Sequence, residues 1–393
     1  MSRETEKFNR ALQKFLDDNP DIDFDKAKEE FINMYNSGEY KLDDDFSKAE
    51  EIYSEALKLD DPKLVKDAIK KALEIYPKHY EAKGELIMLE AKNNQEKISR
   101  LNSLLNEIKD DLEKNKEIDF YNFERTLWLN IDARPYLRNL FKLMLAYDEE
   151  KKYEDALEVG KELIRLDPEN HQDQTMFYLK FLLCLKKYDA AINDAAEFFK
   201  IRKQSKYLFV SFLANIYKND NQEVLKCAKE LAKYNISYLC LIIGVANLTS
   251  EDYESILDNP YVAEDSFEEA ARLFFVYSSL IFNNIDDVNR FADELGGDII
   301  KLIDASPKGM ELLFVFETER ELSFEQVVKN IKSLHKEMDF AKLKDLSNDD
   351  IKKELIKLKN KKYIEYHDSK YFMTYLGHTV LQFFVGDEED ENY

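Results

Sequence analysis

At 393 residues the chain could hold two or three ordinary domains or one long repeat array, and its nine glycines and seven prolines are few for either. Together they make about 4% of the residues against roughly 12% in an average protein, which argues against a hairpin-rich β architecture and predicts helices with short connections. The net charge of −23 argues against a sequence-independent nucleic-acid binder, because most of the surface would repel phosphate, and it would attract a basic partner.

The chain starts MSRETEKFNR, charged and with no apolar stretch behind it, so no secretory signal is expected. Two helical segments follow, SKAEEIYSEALKLDDP over residues 47–62 and DAIKKALEIYP over 67–77, each ending at a proline and each read as a separate repeat unit. The octapeptide KKYEDALE at 151–158 recurs as KKYDAAIN at 186–193, a shift of 35 that places Tyr153 on Tyr188 and Ala156 on Ala191. Counting back from Pro168 predicts one helix over about 135–149 and a second over about 153–166. A further helix is expected in NQEVLKCAKELAKYN, residues 221–235.

These features resemble the tetratricopeptide repeat, whose period is about 34 residues. Leu143, Tyr147 and Ala156 fall at that family's large, aromatic and small positions, with Ala72 at the small position of an earlier second helix. Gly160 and Leu163 depart from the usual second-helix residues. Small alanines let the paired helices approach, and three or more stacked units would share one core. The text LNIDARPYLRNL (129–140) followed by DPENHQDQTMFYL (167–179) is also similar to a group of bacterial tetratricopeptide proteins with a Thr-Arg-Pro-Tyr-hydrophobic-Arg helix start. Ala133 stands where that group has threonine. The group carries no activity over to this chain, so the similarity bears on the fold alone.

Pro135 suits the first turn of a helix, and Arg134 and Arg138, four apart, share a face. Two readings compete. In one they form a two-pronged clamp for a carboxylate or phosphate on a partner, with Tyr136, Tyr147 and His171 nearby. In the other the arginines pair with the chain's own acids, such as Asp167, Glu169 or Asp173, and the tyrosines are packing residues.

The uncharged stretch 234–250 is interrupted by polar residues and is read as a buried helix rather than a membrane span. Cys184, Cys227 and Cys240 are scattered, with no CxxC spacing, which fits a reducing, cytoplasmic compartment. Helices are expected over 266–282 and 286–295, with Asp258-Asn259-Pro260 and Gly296-Gly297 as breaks.

The C-terminal quarter differs in charge. Residues 323–385 carry 12 lysines and 9 acids, while residues 1–322 carry 45 basic and 66 acidic side chains. Helices are expected over 323–334, 339–346 and 347–363, the last with Ser347 as N-cap. Two short alternating runs at 363–366 and 370–374 and a closing helix at 376–384 follow. Three helices, a hairpin and a closing helix resemble a winged-helix module. That resemblance puts Lys353, Ile356, Lys357 and Asn360 on an outward face, with Lys361, Lys362 and Lys370 adding basic character. Asp349 and Asp350 at the start of the third helix oppose DNA, and an exposed Ile356 suits protein.

The five histidines show no metal spacing, and no phosphate-binding glycine loop or nucleophile elbow occurs, so neither metal nor cofactor is expected. The expected class is all-α, a right-handed tetratricopeptide-like solenoid followed by a small winged-helix-like module. The expected divisions are 1–130, 131–250, 251–322, 323–385 and an acidic tail at 386–393. The expected role is a non-catalytic adaptor whose acidic groove takes a basic or amphipathic protein segment. A transcriptional regulator with a DNA-binding winged helix is the alternative, and no membrane association is expected.

Overall fold

A left-handed residue turns the chain at each copy of the repeated octapeptide. Lys151 and Lys186 both have φ of 56°, and Asn219 follows at 58°. The next N–H returns to the carbonyl five residues back in all three cases: Lys152 to Tyr147 at 2.9 Å, Lys187 to Leu182 at 2.8 Å, and Asp220 to Asn215 at 3.0 Å. This bond closes the last turn of one helix, and the next helix begins one residue later. The third corner reads Asn219-Asp220-Asn221 where the octapeptide has Lys-Lys-Tyr. The geometry repeats although the letters do not, because asparagine tolerates the left-handed region at least as well as lysine.

The computed structural model describes the chain except residues 1–2, 117, 122–125, 247, 260–261, 318, 320, 335–341, 344–345 and 386–393. The described residues are mostly helical, with twenty α-helices and one small sheet. None of these helices is long and apolar enough to cross a membrane. Two compact units divide the chain at residues 181 and 182, inside the stretch 131–250 expected to be one run of repeats.

The first unit contains α1 (Arg3–Asp18), α2 (Phe24–Ser37), α3 (Asp45–Ala56), α4 (Pro62–Ile75), α5 (Tyr80–Glu90) and α6 (Asn94–Asn115). Two 3₁₀ turns at Leu127–Leu129 and Ile131–Ala133 lead into α7 (Arg134–Glu149), α8 (Tyr153–Leu166) and the start of α9 (Gln174–Cys184). From α3 to α8 each helix packs on the next, and α5 also packs on α7. The segments 47–62 and 67–77, expected to be separate repeats, are instead the two helices of one pair, α3 and α4. They share a core of Ala49, Tyr53, Ala56, Ile69 and Ala72. The helices expected over 135–149 and 153–166 are α7 and α8. Asp61 caps α4 by accepting from Lys63 N at 2.8 Å, and Pro62 opens that helix where no intrahelical N–H is needed.

In the second unit α10 (Tyr188–Arg202), α11 (Ser205–Lys218) and α12 (Asn221–Tyr234) pack in sequence. Next come α13 (Ser237–Ile242), α14 (Ser250–Asp258), α15 (Phe267–Asn283) and α16 (Ile285–Ile303). Within the stretch 234–250, residues 235–242 are buried as expected, but the helix there is only α13, six residues long, followed by a turn at Gly244, whose φ is 74°. Ser266, where a helix was expected to begin, is the N-cap of α15. Gly296 and Gly297 do not break the chain, because α16 runs through both with nothing within 4 Å of where a Cβ would stand. Continuous apolar packing by Phe291, Leu295, Ile299 and Ile303 outweighs the propensity cost of about 1 kcal/mol per glycine. Of the expected break at 258–260, Asp258 does end α14, while Pro260 lies outside the described residues.

The C-terminal segment runs α17 (Ser306–Phe314), β1 (Glu321–Ser323), α18 (Phe324–Leu334), α19 (Asn348–Asn360), β2 (Ile364–His367), β3 (Lys370–Met373) and α20 (Tyr375–Val385). The strands form an antiparallel sheet in the order β1-β3-β2. Sequence reading located α18, α19, the hairpin and α20, and missed α17 and β1. A three-residue strand is too short to show alternation. Most of the helix expected over 339–346, and the acidic tail, lie outside the described residues.

Ala72, Ala156 and Ala191 are fully buried. Enlarging Ala156 or Ala191 to leucine forces a side chain into a closed interface and is expected to cost about 1–3 kcal/mol. Thermal unfolding followed by circular dichroism checks this, and unchanged melting of both variants would show that these alanines do not set helix approach.

Candidate functional site

Trp128, the only tryptophan, is 5% exposed on the first 3₁₀ turn, ahead of α7. Thr126 holds that turn: its Oγ1 accepts from Trp128 N at 3.3 Å and donates to Asp167 Oδ1 at 2.7 Å. The His171 imidazole stacks on the indole with centroids 5.2 Å apart and planes 7° from parallel. The guanidinium carbons of Arg134 and Arg138 lie 5.3 and 5.2 Å from the indole ring centroid, a double cation–π contact. The two distinctive sequence stretches, 129–140 and 167–179, therefore meet at one aromatic ring.

Arg134 is 2% exposed, a charge taken almost wholly out of water. Its Nε donates to the Trp128 carbonyl at 2.7 Å and its Nη1 pairs with Glu6 of α1 at 2.9 Å. Arg138, one turn along α7, pairs with both carboxylate oxygens of Glu6 and with Glu81 in the first turn of α5. Burial lowers the pKa of Arg138, but Glu81 and Glu6 outweigh it and the net shift is upward.

Asp167, whose side chain is wholly buried, is the second anchor. An ionised carboxylate can only accept, so His171 Nδ1, 2.7 Å from Oδ1, carries the proton of that bond. The backbone N–H of His171 donates to Oδ2 at 2.8 Å, and Gln174 Nε2 bonds the Asp167 carbonyl at 2.7 Å. Behind the arginines, Asn139 Nδ2 donates to Pro135 O at 2.8 Å and across to Tyr80 O of α5 at 3.1 Å. The close approach of α5 to α7 needs Gly84, because a Cβ there would stand 1.7 Å from Asn139 Oδ1.

The structure thus brings together Arg134, Arg138 and His171, and leaves the two tyrosines apart. Tyr136 packs edge-on against Phe120 at 4.8 Å, and burial, with Glu162 adding to it, pushes its phenol up to about 12. Tyr147 is half-buried, and its carbonyl closes the corner at Lys152. The arginines do pair with the chain's own acids, but with Glu6 and Glu81 rather than Asp167, Glu169 or Asp173. Asp167 is already committed to Thr126 and His171, and the arginine face of α7 turns toward α5 and α1. Sequence reading missed Trp128, Glu6 and Glu81, and it named Asp167 as a partner of the arginines rather than of Thr126 and His171. A lone tryptophan six residues before an Arg-Pro helix start was the one signal that could have found the site.

In the C-terminal segment the expected face is divided. Lys353 and Lys357 are exposed and pair along α19 with Asp350 at 3.4 Å and Glu354 at 2.7 Å, Ile356 is 56% exposed and Asn360 is exposed. Lys370 of β3 pairs with Glu321 of β1. Lys361 and Lys362 do not belong to an outward face. Lys361 Nζ donates to the carbonyls of Leu302, Ile303 and Asp304 at the end of α16, where the helix dipole favours a cation. Lys362 Nζ donates to the Asp265 carbonyl, and desolvation lowers the pKa of both lysines. Among the described residues no group of three or more His, Cys, Asp or Glu side chains is placed to hold a metal ion.

No family model matches the chain, and no curated protein matches it.

Asp167→Ala would leave the Thr126 hydroxyl and the His171 ring without their shared acceptor. The expected loss is about 3 kcal/mol. Urea denaturation of variant and wild type measures it, and a loss below about 1 kcal/mol would contradict an anchoring role.

Proposed function

We propose that this chain is a non-catalytic helical-repeat adaptor of the tetratricopeptide type that binds another protein. The observation that carries the proposal is the recurring helix–corner–helix unit, with left-handed residues at Lys151, Lys186 and Asn219 and buried alanines at 156 and 191. Repeats of that kind build an extended surface at low cost in fold complexity, which suits recognition of a chain segment.

The C-terminal segment fits a winged-helix reading, because the element order α17-β1-α18-α19-β2-β3-α20 and the strand order β1-β3-β2 are those of such a module. Its chemistry favours a protein partner over DNA. The α19 N-terminus, where a recognition helix offers side chains to base edges, carries Asp349 and Asp350. Four lysines that could reach phosphate, Lys353, Lys357, Lys361 and Lys362, are engaged within the chain. Ile356 remains as an exposed apolar contact at the centre of the helix.

Fluorescence anisotropy of the full chain with a labelled random duplex, at low and at high salt, tests this. The adaptor reading expects no salt-sensitive binding at micromolar protein. Salt-sensitive binding at micromolar or tighter concentrations would favour the regulator instead.

A further inference from the structure

We infer that the Arg134–Arg138–Trp128 cluster is a recognition site for a helix of a partner protein that carries an acid and, four residues on, a base, and that α1 occupies it as an internal stand-in through Glu6. The inference deepens the adaptor reading and rests on it for the class of ligand.

The first support is the way α1 is held. Glu6 is bound by two arginines at once, one of them 98% removed from solvent, and its carboxylate takes Arg138 on both oxygens. One turn further along the same face of α1, Arg10 pairs with Asp132 at 2.9 Å and reaches the Ile131 carbonyl at 3.5 Å. Its guanidinium also lies 4.5 Å from the centre of the Phe46 ring on α3. The receiving surface therefore reads an acid followed four residues later by a base. That pattern is written into a helix of any sequence with those two residues in register, and it does not require the rest of α1.

The second support is that the hairpin of α1 and α2 is closed on itself. Its apolar cluster consists of Ala11, Phe15, Ala27 and Phe31, flanked by Phe8, Leu12, Leu16, Ile22, Ile32, Met34, Tyr35, Tyr40 and Leu42, all within residues 8–42. The core of α3, α4 and α5 is a different cluster. Releasing the hairpin would break charge-assisted bonds at Glu6 and Arg10 without opening either core. A permanently docked helix would be served as well or better by apolar contact, since desolvating ion pairs costs much of what they return. Charged contacts with two arginines give direction and discrimination instead.

Occupancy by α1 is favoured by its tether, which holds Glu6 at an effective concentration on the order of millimolar, so a competitor must gain what α1 loses. The experiment uses the full chain carrying Glu6→Gln, and a fluorescein-labelled peptide of residues 3–18 as the probe in trans. Removing one charge-assisted pair from the tethered helix is expected to let the peptide bind this variant roughly tenfold or more tightly than wild type. The same peptide carrying Glu6→Gln is expected to lose that advantage, and so is the native peptide on a full chain carrying both Glu6→Gln and Arg138→Gln. Should the Glu6→Gln chain lose its helical circular dichroism, Arg10→Gln weakens the same helix at its more exposed contact, and the native peptide should again prefer that chain over wild type. Equal binding of the native peptide to wild type and variant, or equal binding of the two peptides, overturns the inference. Neither outcome touches the adaptor reading, whose failure shows as duplex binding.

Discussion

The burial of the Arg134 guanidinium constrains much of the first unit. A charge almost wholly removed from water must be paired and hydrogen-bonded, or several kcal/mol of desolvation go uncompensated. The chain meets this demand with three groups from two places: the Trp128 carbonyl and ring just before α7, and the carboxylate of Glu6 on α1. Arg138 extends the same demand to Glu81 on α5. The arginines thereby tie the entry of α7 to two other helices, and Asp167 ties the turn bearing Trp128 to the end of α8. Pro135 and Gly84 are local consequences: one opens α7 with no N–H to satisfy, the other lets α5 come close enough for Asn139 to reach Tyr80.

The C-terminal segment obeys a similar rule with a different cation. The last carbonyls of α16 are satisfied by Lys361, and the Tyr363 hydroxyl joins at Ile303. Thr374 accepts from Gly377 N at 3.0 Å and donates to the carbonyls of Lys362 and Tyr363. A Cβ at Gly377 would sit 2.0 Å from the Tyr363 carbonyl oxygen, so glycine is required where α20 crosses the strand exit. The residues that looked basic and available from their sequence are thus partly structural.

What was legible in the sequence was local. The pair α7 and α8 could be placed because Pro135, the octapeptide at 151–158 and Pro168 mark their ends, and Ser347 announces α19 through its cap. The run through Gly296 and Gly297 was hidden because propensity alone cannot weigh the apolar face that continues past them. Within the candidate site, the spacing of Arg134 and Arg138 and the nearness of His171 could be read from the chain. Their partners could not. Glu6 lies 132 residues from Arg138 and Glu81 lies 57, and in a sequence with 80 acids nothing marks those two. Trp128 carried a signal of rarity but none of direction, since ring stacking with His171 depends on a fold-back that no period encodes.

The most direct measurement of this account is collisional quenching of the single tryptophan by acrylamide in the native full chain. Trp128 held at 5% exposure between an imidazole and two guanidinium groups should show blue-shifted emission and a quenching constant at least severalfold below that of the urea-unfolded chain. Emission and quenching in native buffer indistinguishable from the unfolded chain would mean that the cluster does not form, and the organisation of the first unit argued from it would fall.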